Sequence, residues 1–195
     1  MSTAKDIAVL VGSLRAASIN RNAAHALQAL SPDGLRLDIV EIGHLPFYNP
    51  EFDEAPASVP AGYVAFRNRI ARADGVLFLT PEYNRTLPAV LKNAVDIGTR
   101  PYGKSVWAGK PAGVISISMG ALGGFGANQD LRRLLANVDM PTMQQPEAYI
   151  GEGHKLFDGA TVTAESTRLF LRQYLDRFAV WTDRHAVAPV AALVA

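Results

Sequence analysis

The sequence has no cysteine, which excludes disulfides, thiolate metal sites and cysteine nucleophiles and fits a reducing compartment. It also lacks an excess of charge. Its 19 Lys and Arg stand against 18 Asp and Glu, a formal net charge of +1, so no global field favours nucleic acid or an anionic membrane surface. No apolar run approaches the roughly 20 residues of a membrane span. The N-terminal MSTAKDIAVLVGS breaks at Gly12 and has no small-residue cleavage site, unlike a secretory signal. These absences predict a cytoplasmic protein with neither nucleic acid nor membrane as a partner. Catalytic signatures are missing too. There is no GxSxG elbow for a hydrolase, no GxxxxGK[ST] triphosphate loop and no GxGxxG dinucleotide fingerprint. His25, His44, His154 and His185 are scattered, and no pair has the spacing of metal ligands.

What remains is an ordinary globule, 49% apolar and 19% charged, of a length that suits one domain. IAVLV (7–11), VLFLT (76–80) and GVISIS (113–118) are continuous apolar runs of the kind buried on both faces of a parallel sheet. LRLDIVEI (35–42) alternates like a strand nearer an edge, and TMQQPEAYI (142–150) is a fifth strand disturbed by Pro146. Helical patterns fall between them. Ile19 to Leu30 follows Ser18 as an N-cap. Helical stripes run through Tyr63, Phe66, Ile70 and Ala73, then Leu87, Val90, Leu91, Ala94 and Val95, with Pro88 at a first turn. Two more run through Leu131, Leu134, Leu135 and Val138, and through Leu171, Tyr174, Leu175 and Phe178, the last ending near Trp181. Strict alternation predicts an α/β fold: a doubly wound five-stranded parallel sheet in the flavodoxin-like order 2-1-3-4-5, with helices on both faces. It fills one domain over residues 1–181, followed by a tail, 182–195. The polar, proline-rich connection GHLPFYNPEFDEAPASVPAG reads as a lid beside the site, with Glu51, Asp53 and Glu54 a solvated edge.

In that order the ligand sits at the carboxyl ends of the strands, where three polar loops converge, the first and third of them bearing glycine. VGSLRAASINRN (11–22) leads into a helix N-terminus, whose free N–H groups and partial positive charge suit a phosphate; on spacing alone a capped turn with a solvated arginine fits equally. In TPEYNRTLPAVLKNAVD (80–96), Pro81-Glu82-Tyr83-Asn84 makes a turn against which a flat ring can lie. SMGALGGFGANQD (118–130) carries four glycines in a short span, allowing close backbone approach. Together they describe a pocket with a phosphate end and a flat-ring end, which suits a mononucleotide such as FMN.

On VGSLRAASIN, LPFYNPEFDE, TPEYNRTLPAVLKNAVD and GKPAGVISISMGALGGFGANQDLR, the chain resembles the NADPH-dependent FMN reductases. That family of flavodoxin-like proteins includes chromate and quinone reductases and some azoreductases. The resemblance covers about residues 6–180. It implies that Ser13, Arg15, Ser18 and Asn20 hold the FMN phosphate with the amide of Ile19. It implies that Pro81, Glu82, Tyr83 and Asn84 flank the isoalloxazine, and that Ser118, Met119, Gly120, Gly123 and Gly124 form the loop on its other side. It further implies a homodimer or homotetramer, with Arg100 at the nicotinamide or acceptor entrance. The implied activity is hydride transfer from NADPH or NADH to FMN, then electron transfer to quinones, chromate, azo compounds or ferric complexes. The flavin carries the chemistry, so no catalytic side chain and no metal are expected. Ile97, Phe125-Gly126 and Gln129 depart from the family pattern at the entrance and interface. Two alternatives remain beside this reading. One is a flavodoxin-type electron carrier, which near-neutral charge disfavours; the other is a flavin-free interaction module on the same fold.

Overall fold

Hydrophobic strands with no polar face need cover on both sides, and the computed structural model, which describes residues 4–55 and 58–186, provides it. Five parallel strands, β1 (Lys5–Val11), β2 (Leu35–Val40), β3 (Gly75–Thr80), β4 (Ala112–Ile117) and β5 (Ala148–Ile150), pair in the order β2-β1-β3-β4-β5. Every residue of β3 and β4 is buried. Alternate side chains divide between two cores, as the two-residue period of a strand requires. Leu10, Phe78 and Val114 pack against α2 (Ala61–Arg72), α3 (Ala89–Thr99) and α4 (Phe125–Asn137). Val9, Leu77 and Ile115 pack against α1 (Ile19–Leu30) and α5 (Glu165–Arg184). The register pairs Val11 with Leu79 and Thr80 with Ser116, so β1, β3 and β4 end at one level. That alignment brings their following loops together.

The structure changes several boundaries. The fifth strand shrinks to Ala148–Ile150, leaving Pro146 outside the ladder, where its missing N–H costs nothing. The last helix does not end near Trp181. It continues to Arg184 because the Thr182 hydroxyl bonds back to the Phe178 carbonyl and the Trp181 indole donates to the Pro141 carbonyl at 2.9 Å. The proposed tail therefore begins inside a helix, and 187–195 lie outside the described residues. A two-residue-per-strand hairpin, β6 (Phe157–Asp158) and β7 (Thr161–Val162), was not expected. Its signal is the two-residue loop Gly159-Ala160, with glycine at positive φ (52°) in the first central position.

The polar connection after β2 is a strap rather than a lid. Asn93 of α3 accepts from the Tyr48 amide at 2.8 Å and donates to the Pro46 carbonyl at 2.9 Å. Asp53, expected on a solvated edge, is only 5% exposed. It accepts from Arg67 at 3.0 Å and from the Tyr48 hydroxyl at 3.1 Å. A buried carboxylate needs such partners, and they hold the strap along α2 and α3.

Candidate functional site

The first wall grows out of β1. Ser18 caps α1, its hydroxyl oxygen accepting from the Arg21 amide at 3.1 Å. Among the described residues, none of the backbone N–H groups from Ser13 to Asn20 donates to a protein acceptor. No acidic residue occupies the first turn of α1. These donors and the helix dipole make an anion cradle. Arg21 cannot serve it: its guanidinium is held by Glu41 at 2.6 and 2.8 Å, and that bond keeps the Glu41 carboxyl below its ordinary pKa. Arg15 is exposed and makes no ion pair with the described residues. Asn20 is buried, and its side-chain amide donates to the Ile117 carbonyl at 3.2 Å, tying α1 to the end of β4. The Asn20 Oδ1 is buried without a protein partner.

The second wall is the turn after β3. The Tyr83 amide donates to the Thr86 carbonyl at 3.0 Å and the Thr86 amide returns the bond at 3.1 Å. Asn84 (φ 50°) and Arg85 (φ 67°) occupy the centre, the conformation of a type I′ turn. Glu82, 13% exposed, accepts from the Ala127 amide at 3.1 Å and faces Arg85 at 3.4 Å. It thereby caps α4, whose own N-cap residue, Gly124, has no side chain to do so. Thr86 adds a second tie, donating to Asp130 of α4 at 2.6 Å.

The third wall is the loop after β4. The Ser118 amide donates to the Ile150 carbonyl at 3.1 Å and its hydroxyl to the Gly120 carbonyl at 3.0 Å. Gly123 has φ 61°, and a Cβ there would lie 2.5 Å from the Tyr149 carbonyl carbon. Its glycine serves backbone approach to β5.

The three walls enclose an open cavity of about 550 Å³, within the range of cofactor sites. Ser13, Arg15, Ser18, Ile19 and Asn20 line one end. Pro81, Glu82 and Tyr83 face Ser118, Met119, Gly120 and Gly124 across the rest. Asn84 and Gly123, both expected at the ligand, do not line it: one holds the turn and the other abuts β5. Arg100 is not there either. It caps the far end of α3, an 11-residue helix about 16 Å long, with its Nε 3.7 Å from Asp53. Arg85, Ile117, Ala121 and Leu122 line the cavity and were not singled out from the sequence. All four lie within or beside the three recognised loops, so position in the loop was the available signal.

The donor set fits FMN. The unpaired N–H groups suit a phosphate, the orphaned Asn20 Oδ1 can accept from a ribityl hydroxyl, and Pro81, Tyr83 and Met119 present apolar surface to a flat ring. Among the described residues no cluster of His, Asp and Glu could hold a metal ion.

Comparisons with known proteins agree with that geometry. The family model described as NADPH-dependent FMN reductase matches residues 6–155. A quinone reductase of Pseudomonas putida is 53% identical over 182 residues, covering 93% of this chain and 96% of the relative. A 2-hydroxy-1,4-benzoquinone reductase of a Burkholderia species is 45% identical over 176 residues, covering 90% and 94%. Among solved structures, FerB, a flavoenzyme NAD(P)H:acceptor oxidoreductase from Paracoccus denitrificans, superposes with a TM-score of 0.87 at 39% identity, covering 94% of this chain and all of FerB. With a flavodoxin-like sheet, an anion cradle facing a flat apolar slot, and this match over most of its length, the chain belongs to the NADPH-dependent FMN reductase family and is an FMN- and NAD(P)H-dependent oxidoreductase.

Proposed function

We propose that the chain reduces quinones with electrons from NAD(P)H and that the cavity at the ends of β1, β3 and β4 is the FMN site. The observation that carries this reading is the run of N–H groups from Ser13 to Asn20 without a protein acceptor among the described residues, five of whose residues, Ser13, Arg15, Ser18, Ile19 and Asn20, line the same cavity as an apolar slot. Bound FMN supplies the two-electron redox centre. The chain's residues bind and orient it. Ser13, Arg15 and the amides through Ile19 hold the phosphate, while Ser18 caps α1 with its oxygen and keeps its O–H free to donate. Pro81, Tyr83, Met119, Gly120 and Gly124 flank the ring, and Ser118 fixes its loop. Glu82 is engaged by the α4 amide, and its role is to position the turn. Asn84 and Gly123 act at one remove, through the turn and the contact with β5.

The rim supports a flat, apolar acceptor. Tyr83, Met119 and Leu122 are 46%, 60% and 64% exposed around one opening, and such surface gains from covering an aromatic ring. Chromate, azo compounds and ferric complexes reach the same opening and are proposed as slower acceptors. The proposal extends to a cytoplasmic homodimer or homotetramer. Phe47 and Tyr102, largely exposed, support an interface, and Arg100 would meet a flavin site only from a neighbouring copy. Steady-state turnover with both nicotinamides against quinone, azo, chromate and ferric acceptors tests the reading. Quinones should give the highest kcat/KM; a preference for hydrated anions over every quinone contradicts it. Light scattering tests the oligomer, and a monomer at micromolar concentration would contradict that part.

A further inference from the structure

Arg85 is out of keeping with its backbone. The second central position of a type I′ turn is ordinarily glycine, because positive φ crowds a Cβ against the carbonyl. Here an arginine adopts φ 67°. Its side chain gives little local return: it is 78% exposed, and its one ionic neighbour, Glu82, lies at 3.4 Å with its other oxygen already on the Ala127 amide. A strained residue with a loosely held guanidinium at a cavity wall points to a ligand.

The ligand's chemistry follows from what surrounds it. Among the described cavity-lining residues the cations are Arg15 and Arg85. Arg15 belongs to the cradle after β1, whereas Arg85 stands on the turn after β3, beside Tyr83. The neighbouring arginines of α4 do not line the cavity: Arg133 lies beside Asp130 at 3.2 Å, and Arg132 donates to Asn128 at 2.8 Å and to the Met143 carbonyl at 2.9 Å. A planar fork at the ring end of the cavity suits a second phosphate-bearing molecule that lays a ring in the slot. The hydride donor is such a molecule, and a fold without a dinucleotide fingerprint must grip its phosphates otherwise.

We propose that Arg85 is the phosphate anchor for the nicotinamide dinucleotide, a donor-recognition residue separate from the FMN cradle. This inference rests on the FMN reading of the cavity. On donor arrival the guanidinium turns from Glu82 to the phosphate, and Glu82 stays in place on the α4 amide. The side chain binds, and no bond is made or broken on it.

The test compares the FMN-loaded parent with Arg85→Gly and Arg85→Lys. Arg85→Gly should fold well, with a Tm at or above that of the parent, because glycine relieves the positive φ. Its FMN affinity, read by flavin fluorescence, should match the parent's. Its KM for the donor should rise about tenfold or more, the worth of a charge-assisted bond, with the loss in KM rather than kcat. Salt should raise the parent's donor KM steeply and the variant's little, and Arg85→Lys should recover part of the loss. A rise for NADPH and NADH alike assigns the pyrophosphate; a rise for NADPH alone assigns the 2′-phosphate. Unchanged KM for both donors overturns the proposal, as does a variant whose only defect is FMN binding. Failure of the parent itself to take up FMN would instead refute the reading of the cavity.

Discussion

Replacing Glu82 with alanine separates a positioning role from a chemical one. The carboxylate is 13% exposed and accepts the Ala127 amide at 3.1 Å, in the first turn of α4. Alanine removes a hydrogen bond to a charged group, worth about 1.5–3 kcal/mol, and leaves an amide without an acceptor. At roughly 2–4 °C per kcal/mol for a chain of this size, Tm should fall by about 3–12 °C. Glu82→Gln keeps an acceptor and loses only the charge at the helix N-terminus, so its cost should be about 1 kcal/mol. Urea unfolding of the three proteins with FMN bound measures the difference. The pH profile of turnover should keep its shape in Glu82→Gln, since the carboxylate's role is to position the turn. The reasoning is refuted if the two substitutions destabilise equally, or if Glu82→Gln loses a limb of the pH profile at parental stability and FMN affinity.

Arg15→Ala should weaken FMN binding only about fivefold to tenfold, because the arginine is exposed and the backbone donors remain; equal dissociation constants would remove Arg15 from the cradle. Asp53→Ala strands the Arg67 guanidinium, 7% exposed, and should cost about 3–5 kcal/mol by urea unfolding. A loss under 1 kcal/mol would mean that water reaches the pair. Burial pushes the Lys110 ammonium below its ordinary value of 10.5, while its Nζ donates to the Ala73 carbonyl at the end of α2. The unfolded chain therefore holds that proton to higher pH, and stability contributed by Lys110 grows as pH rises from the lowered value toward 10.5. The urea midpoint of the parent minus that of Lys110→Met should increase with pH across that window; a decrease would reverse the sign.

What the sequence reveals depends on how local each cause is. β3 and β4 are legible because burial on both faces leaves no charged residue in VLFLT or GVISI, and Thr80 and Ser116 are their only polar side chains. Ser18 is legible because capping acts over three residues. Asp53 is not: a polar, proline-rich context reads as surface, and its partner Arg67 lies on another element. The turn after β3 is legible, with Asn84 a residue that tolerates positive φ, but the positive φ of Arg85 hides because no glycine follows Asn84 in YNRT. Gly123 misleads for the opposite reason, since the same residue serves close approach to a ligand or to β5. Arg100 is a matter of helix direction: α3 begins at the cavity and carries its C-terminus away from it. Thr182, bonded back within α5, shows that a polar residue after an aromatic need not end a helix.

The central claim is that the cradle after β1 and the slot beside Tyr83 together hold an FMN that NAD(P)H reduces and a quinone reoxidises. Anaerobic titration of the FMN-loaded protein tests it most directly. The account predicts that NADPH bleaches the flavin absorption at one equivalent per bound FMN, and that one equivalent of a benzoquinone restores it, with no partner protein present. A protein that takes up no FMN, or a bound flavin whose colour survives excess NADPH and NADH, would contradict it.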